Sequence, residues 1–323
     1  MRTGFTERQM ADPRIRAADD ILRKCVHCGF CAPACPTYRL TGDELDGPRG
    51  RIWLIRDLLE SGTSDAAPPA DPGVTDHLDR CLGCLACMPA CPSGVDYHGL
   101  IGIARGVVEE RAFRGPLDRL YRALLGRVLP NPHAFGLLFR TARLLAPMAG
   151  LLRGRAAAGL ALARAARPVA SRPRQARDDA APKAPRRGRV ALVPGCAQSV
   201  MAPGINAALA RILARAGYEP VMLKGARCCG ALNEHLGQAA AARKHAKAVI
   251  TAILAEADGP GLEAVVLTAS GCGTLMKTYG ALFAGDDEWA PRARRAAGLV
   301  RDAGEFLEAC GLSFTGLSPR LCL

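Results

Sequence analysis

The segments CVHCGFCAPACP (residues 25–36) and CLGCLACMPACP (residues 81–92) place four cysteines and a proline at one shared spacing, 56 positions apart. Each reads C-x2-C-x2-C-x3-C-P, the bacterial ferredoxin run that holds [4Fe–4S] clusters. Three cysteines two residues apart wrap one loop around one cube. The fourth, followed by proline, starts a new chain direction and reaches the other cube. One copy is therefore incomplete, and two copies complete each other. This reading gives Cys25, Cys28, Cys31 and Cys91 to a first cluster, and Cys81, Cys84, Cys87 and Cys35 to a second. Gly29 and Gly83 are expected to let the backbone approach the sulfurs. Pro36 and Pro92 lack an N–H and are expected to end the turn. Structural zinc prefers two cysteine pairs separated by a longer stretch, which this pattern does not show.

The chain holds fourteen cysteines, more than packing needs. Its start, MRTGFTERQMADPRIRAADD, has no apolar core of a secretory leader, so the cytoplasm is the expected compartment. Cysteines are kept reduced there, and clustered ones read as metal ligands or catalysts rather than disulfides. The most apolar run, LLAPMAGLL, is about half of what a membrane span needs. No span is expected, and the protein is expected to lie peripherally on the inner face of the cell membrane.

The formal net charge of +13 is uneven: residues 111–189 carry eighteen Lys/Arg against three Asp/Glu. A basic face with apolar residues opposite suits an anionic surface or an acidic partner. A plain solvated linker is the competing reading. Stacking aromatics and reader motifs are missing, so no nucleic-acid partner is expected.

The expected class is α+β with several domains. Residues 1–110 read as a mostly α-helical ferredoxin-type domain with two [4Fe–4S] clusters. Within it Ile52, Ile55, Leu58 and Leu59 recur at helical spacing. Residues 111–188 read as a basic helical segment ending in a linker. Residues 189–323 read as an α/β domain with a parallel sheet. There RVALVPGC, EPVMLK and EAVVLTAS alternate with helical segments, including PGINAALARILARAG with Ile205, Leu209, Ile212 and Leu213 on one face.

In that last domain Cys196 and Cys272 directly follow predicted strands, and Cys228–Cys229 follows another after a short loop. Ligands of open α/β sheets sit beyond the carboxyl ends of the strands. The four cysteines are therefore expected to form one additional site. A third iron–sulfur centre, another metal or a redox-active thiol pair all use these residue types. His235 and His245 are candidate helpers, read more readily as surface histidines on a helix. No G-x-G-x-x-G follows a strand, so no hydride acceptor is expected on this chain.

Several tracts resemble the iron–sulfur subunits of glycolate oxidase (glycolate dehydrogenase). They are ADDILRKCVHCGFCAPACPTYRLTGDELDGPRGRIWLI, HLDRCLGCLACMPACPSGVDYH, GCAQSVMAPGINAALARILARAGY, CCGALNEHL and TASGCGTLMKTYG. The resemblance implies partner subunits that carry FAD and oxidise glycolate to glyoxylate. Electrons would then pass through the two clusters to a membrane acceptor such as quinone. No catalytic residue is expected here. Lactate, glycerol 3-phosphate or heterodisulfide complexes are the alternatives, since the substrate is chosen on the flavin subunit. A cluster-based redox sensor that binds nucleic acid is the alternative from another class. The last part of the chain is similar to the cysteine-rich CCG domain. It departs from related CCG sites in offering only Cys272 after the third strand. The family usually carries a second CCG copy, and the resemblance implies that Cys322 is the first cysteine of such a copy, whether the sequence is truncated there or the second half is supplied otherwise.

Overall fold

The computed structural model describes residues 1–62, 68–151, 154–165 and 187–311. Nearly all of the expected linker, and Cys322, lie outside the described residues. The chain divides into two compact units, one of residues 1–126 with 231–242, the other of residues 127–230 with 243–323.

The first unit is built on four helices, Pro13–Lys24, Pro48–Glu60, Pro72–Asp79 and Tyr97–Arg111. The first three begin with proline at the first helical position, where no N–H is needed and φ is already set. Asp12, Asp71 and Asp96 cap their helices by accepting from the backbone N–H of Arg14, Val74 and Gly99. Each long helix buries one stripe. Ile15, Ala18 and Leu22 pack with Ile52, Ile55, Leu58 and Leu59 and with Leu100, Ile101, Ala104 and Val107. The stripe read from residues 52–59 is thus the buried one. Cys25 and Cys87 belong to the same core, so the cysteine loops are anchored from beneath.

The second unit carries a four-stranded parallel sheet: β1 Gly188–Leu192, β2 Tyr218–Met222, β3 Ala264–Leu267 and β4 Val300–Asp302, in the order β2-β1-β3-β4. Val190 pairs with Pro220 on one side and with Ala264 on the other. All four residues of β3 are buried, as a strand covered on both faces requires. Three strands match the sequence reading. β4 was not expected, because its three residues are too few to show a pattern and only Val300 is buried.

Helix Gly204–Arg215 links β1 to β2, and Gly217, with φ +90°, follows its end. Its buried residues are Asn206, Leu209 and Leu213, while Ile205 is exposed. The expected stripe is rotated by one position because Asn206 is needed inside. Its Nδ2 donates to Pro194 O and its Oδ1 accepts from Gln198 Nε2. In the basic middle of the chain the helices Pro132–Leu145 and Gly154–Ala165 appear, with Leu137, Leu138, Leu144 and Leu162 exposed. Among the described residues no helix is long and apolar enough to cross a membrane.

Candidate metal centres

Cys25, Cys28 and Cys31 lie on the loop that follows helix Pro13–Lys24; Cys81, Cys84 and Cys87 lie on the loop that follows helix Pro72–Asp79. In both loops the second and fourth residues after the first cysteine have left-handed φ. They are His27 (57°) and Gly29 (83°) in the first loop, Gly83 (63°) and Leu85 (56°) in the second. Gly29 and Gly83 are therefore not counterparts: His27 corresponds to Gly83, and Gly29 to Leu85. Each loop holds one ordinary residue in a conformation that costs about 1–2 kcal/mol. Two left-handed residues in five curl the chain so that its cysteines line one pocket.

Two cavities result. One is lined by Cys25, Cys28, Cys31, Cys87 and Cys91. The other is lined by Cys35, Cys81, Cys84 and Cys87. The copies part after the fourth cysteine. Pro36 opens helix Pro36–Thr41 with Cys35 as its N-cap, whereas Pro92 lies in a turn. Pro36 thus starts a helix as well as ending a turn. Burial would raise the Cys35 thiol. The Thr37 hydroxyl, the backbone N–H groups of Tyr38 and Thr37, and Arg51 together hold it below its ordinary value.

The other thiols are crowded. Burial and then the neighbouring Cys25, Cys91 and Cys28 raise Cys31, and burial followed by Cys81 and Cys31 pushes Cys87 up to about 12. Bound cations reverse this repulsion and keep such thiols ionised. Among the described residues no three cysteine sulfurs lie within 4.8 Å of one another. One tetrahedral zinc, with Zn–S near 2.3 Å, would gather them more tightly. The donor chemistry and the spacing fit an iron–sulfur cube.

Around these loops sit residues that the sequence did not single out. Arg51 is 1% exposed; its Nε donates to His77 O at 2.7 Å, and its Nη1 lies 3.0 Å from Thr37 Oγ1 and 3.9 Å from Cys35 Sγ. Asp46 faces Arg51, Arg80 and His77. Tyr97, also buried, points its hydroxyl at Cys81 Sγ, 3.7 Å away. His235 proves not to be a simple surface residue. It belongs to the first unit and its Nδ1 accepts from Arg105 Nη1 at 2.9 Å. A Cβ added to Gly83 would come 2.5 Å from its Cε1. Burial, Arg105 and His98 lower its pKa to about 4. The ring is neutral, with its proton on Nε2.

In the second unit the strand order reverses between β1 and β3, the switch point beyond which open sheets bind ligands. Cys196 lies in the loop after β1, and Cys272 in the first turn of helix Ser270–Lys277, which follows β3. The thiols meet in a row, Cys196 to Cys228, Cys228 to Cys229 and Cys229 to Cys272. Hydrogen bonds from Cys196 and Cys229 hold Cys228 well below the ordinary thiol value, with Gly230 N–H and His245 helping. A hydrogen bond from Cys229 lowers Cys272 as well. The shifts alternate along the row, upward at Cys196 and Cys229 and downward at Cys228 and Cys272. Gln198 Nε2 donates to Thr268 Oγ1 at 2.6 Å, tying the loop after β1 to the end of β3. Tyr279 Oη donates to Cys229 O at 2.7 Å from a fully buried position. The thirteen described cysteines are all free.

Residues 21–95 match the family model of a 4Fe-4S dicluster domain, and residues 190–277 match that of a cysteine-rich domain. Over 311 residues the chain is 40% identical to the glycolate oxidase iron-sulfur subunit of Escherichia coli (strain K12), covering 95% of this chain and 70% of that one. It is 31% identical over 302 residues to the probable glycolate oxidase iron-sulfur subunit of Bacillus subtilis (strain 168), covering 88% of this chain and 65% of that one. A shorter likeness, 28% over 89 residues, joins 27% of this chain to 38% of the succinate dehydrogenase iron-sulfur subunit of Coxiella burnetii. No solved structure gives a significant match. The chain thus spans about two thirds of the length of its two full-length relatives. The paired cysteine loops, the thiol row at the sheet's switch point and this likeness along nearly the whole chain place it in the family of glycolate oxidase iron–sulfur subunits.

Proposed function

We propose that the chain is the electron-transfer subunit of a glycolate-oxidising complex. Its homologues are subunits of an oxidoreductase, and an iron–sulfur subunit of such an assembly works with other subunits. The observation that carries the reading is the pair of cavities, whose linings include the four cysteines that the crossed ferredoxin pattern groups together, with Cys87 common to both. Cys25, Cys28, Cys31 and Cys91 hold one [4Fe–4S] cluster; Cys81, Cys84, Cys87 and Cys35 hold the other. Each cluster, when bound, takes up and releases one electron at a time.

Oxidation of glycolate to glyoxylate releases two electrons and two protons. FAD on the partner subunits accepts them, and the electrons cross this chain singly to a membrane acceptor such as quinone. This chain's residues hold the clusters, keep their loops rigid and exclude water from Cys25, Cys35 and Cys87. The subunit lies peripherally on the inner face of the cell membrane. The thiol row Cys196–Cys228–Cys229–Cys272 is a further redox or metal centre, supported by the meeting of its four thiols at the switch point of the sheet.

Anaerobic purification of the chain with its partner subunits tests the reading. About eight iron atoms per chain are expected in the first unit, in two paramagnetic centres that become reduced when glycolate is added. Reduction by lactate or glycerol 3-phosphate but not glycolate would move the substrate. Zinc in place of iron would overturn the assignment altogether.

A further inference from the structure

The carbonyl of the first cysteine of each loop receives a cationic donor. Cys25 O accepts from the Met1 amino group at 2.6 Å, and Cys81 O accepts from Arg105 Nη2 at 2.5 Å. The two environments differ in burial. Arg105 is 6% exposed; its Nη1 is spent on His235 Nδ1, and its buried Nε has no partner. Glu234 is the carboxylate facing it; burial raises that carboxyl against the lowering by His98 and Arg105. The cations near the first cavity are half open to water. Arg49 reaches His27 O at 3.4 Å but is 37% exposed and paired with Glu44 at 2.7 Å. The second cavity has, besides Arg105, the buried Arg51 beside Cys35. Asp46 offsets Arg51 but also faces Arg80 and His77.

Charge acts more strongly when buried than when water screens it. A reduced cluster carries one more negative charge than an oxidised one. A buried cation beside it therefore favours reduction, and local charge and hydrogen bonds set cluster potentials. We propose that Arg105, oriented by His235, is a positioning residue for the Cys81–Cys84 loop and makes the second centre the more easily reduced of the two. Electrons on this chain then collect at the centre held by Cys81, Cys84, Cys87 and Cys35. The inference rests on the two-cluster reading above. His235 fills the space over Gly83, where a Cβ has no room, and holds one arm of the guanidinium. The other arm is thereby left on Cys81 O.

Redox titration of the anaerobic holoprotein, followed by paramagnetic resonance, reads both midpoints. Arg105→Gln is expected to shift the higher midpoint downward by at least tenfold in the reduced-to-oxidised ratio, about 59 mV for one electron. The lower midpoint stays, and Arg105→Lys restores most of the shift. His235→Phe keeps the ring over Gly83 but removes the acceptor, and moves the same midpoint the same way by a smaller factor. This variant decides the matter where Arg105→Gln fails to hold iron. The inference is overturned if iron-replete variants move the lower midpoint, move both equally, or move neither. Absence of two reducible centres in the unaltered protein would instead defeat the cluster reading itself.

Discussion

The Arg51 guanidinium lies 3.4 Å from the Asp46 carboxylate, and each side chain is 1% exposed. The pair stands behind Cys35 and ties the helix Pro48–Glu60 to His77 at the end of helix Pro72–Asp79. Removing one partner of a buried pair leaves the other charge without compensation. Asp46→Asn should therefore cost about 3–5 kcal/mol, measured by denaturant unfolding at pH 7. A loss within experimental error would show that Arg80 and His77 do not depend on it. Burial alone would raise the Asp46 carboxyl, but His77, Arg51 and Arg80 hold it below the ordinary 3.8. A carboxyl depressed in the folded state stabilises above its unfolded pKa. That contribution should be complete at neutral pH, begin to fall below about pH 4, and be missing from the Asn variant.

Gly29 and Gly83 both have left-handed φ, so alanine is strained at either. Their neighbours differ. A Cβ at residue 29 meets the far end of Arg49 at 2.9 Å, while one at residue 83 meets the His235 ring at 2.5 Å. Arg49 can swing into water; His235 is held by Arg105. Gly83→Ala is expected to cost about 1–3 kcal/mol more than Gly29→Ala. Thermal unfolding of the two variants side by side gives the difference, and equal losses would contradict it.

The crossed ligand sets make a sharp genetic test. Cys25→Ser and Cys91→Ser should abolish the same paramagnetic centre, and Cys81→Ser and Cys35→Ser the other, each with loss of about four iron atoms. If Cys91→Ser instead pairs with Cys81→Ser, the clusters are not crossed. In the complex, Cys25→Ser should stop quinone reduction while glycolate oxidation with artificial dyes continues.

The thiol row of the second unit is independent of these sets. Cys229→Ser should leave the iron of the first unit intact while lowering activity of the complex. A loss of about four further iron atoms would show that the row carries its own cluster. Tyr279→Phe removes the donor to the buried Cys229 carbonyl and should cost about 1–3 kcal/mol, read by urea unfolding.

Much of this was legible from residue order alone. Ligands two residues apart must come from one loop, so the spacing of Cys25 to Cys35 and Cys81 to Cys91 carried the dicluster chemistry before any fold was known, and it is the basis of the proposed crossed grouping. The Ile52–Leu59 stripe and three of the four strands follow from short-range periodicity, which local sequence carries. The offset of Ile205 by Asn206, and the three-residue β4, were lost because one depends on a buried amide's partners and the other is too short to have a period.

Only the tertiary structure decided what stands around the ligands. Arg105 and His235 are 130 residues apart, and nothing local marks residues 231–242 as part of the first unit. The order β2-β1-β3-β4 is what brings Cys196 and Cys272 to one switch point, since parallel strands can be shuffled in a sheet without altering their own patterns. Which thiols stay protonated and which cations are shielded from water depend on burial and distance. Those are properties of packing in three dimensions, and the linear spacing of cysteines does not contain them.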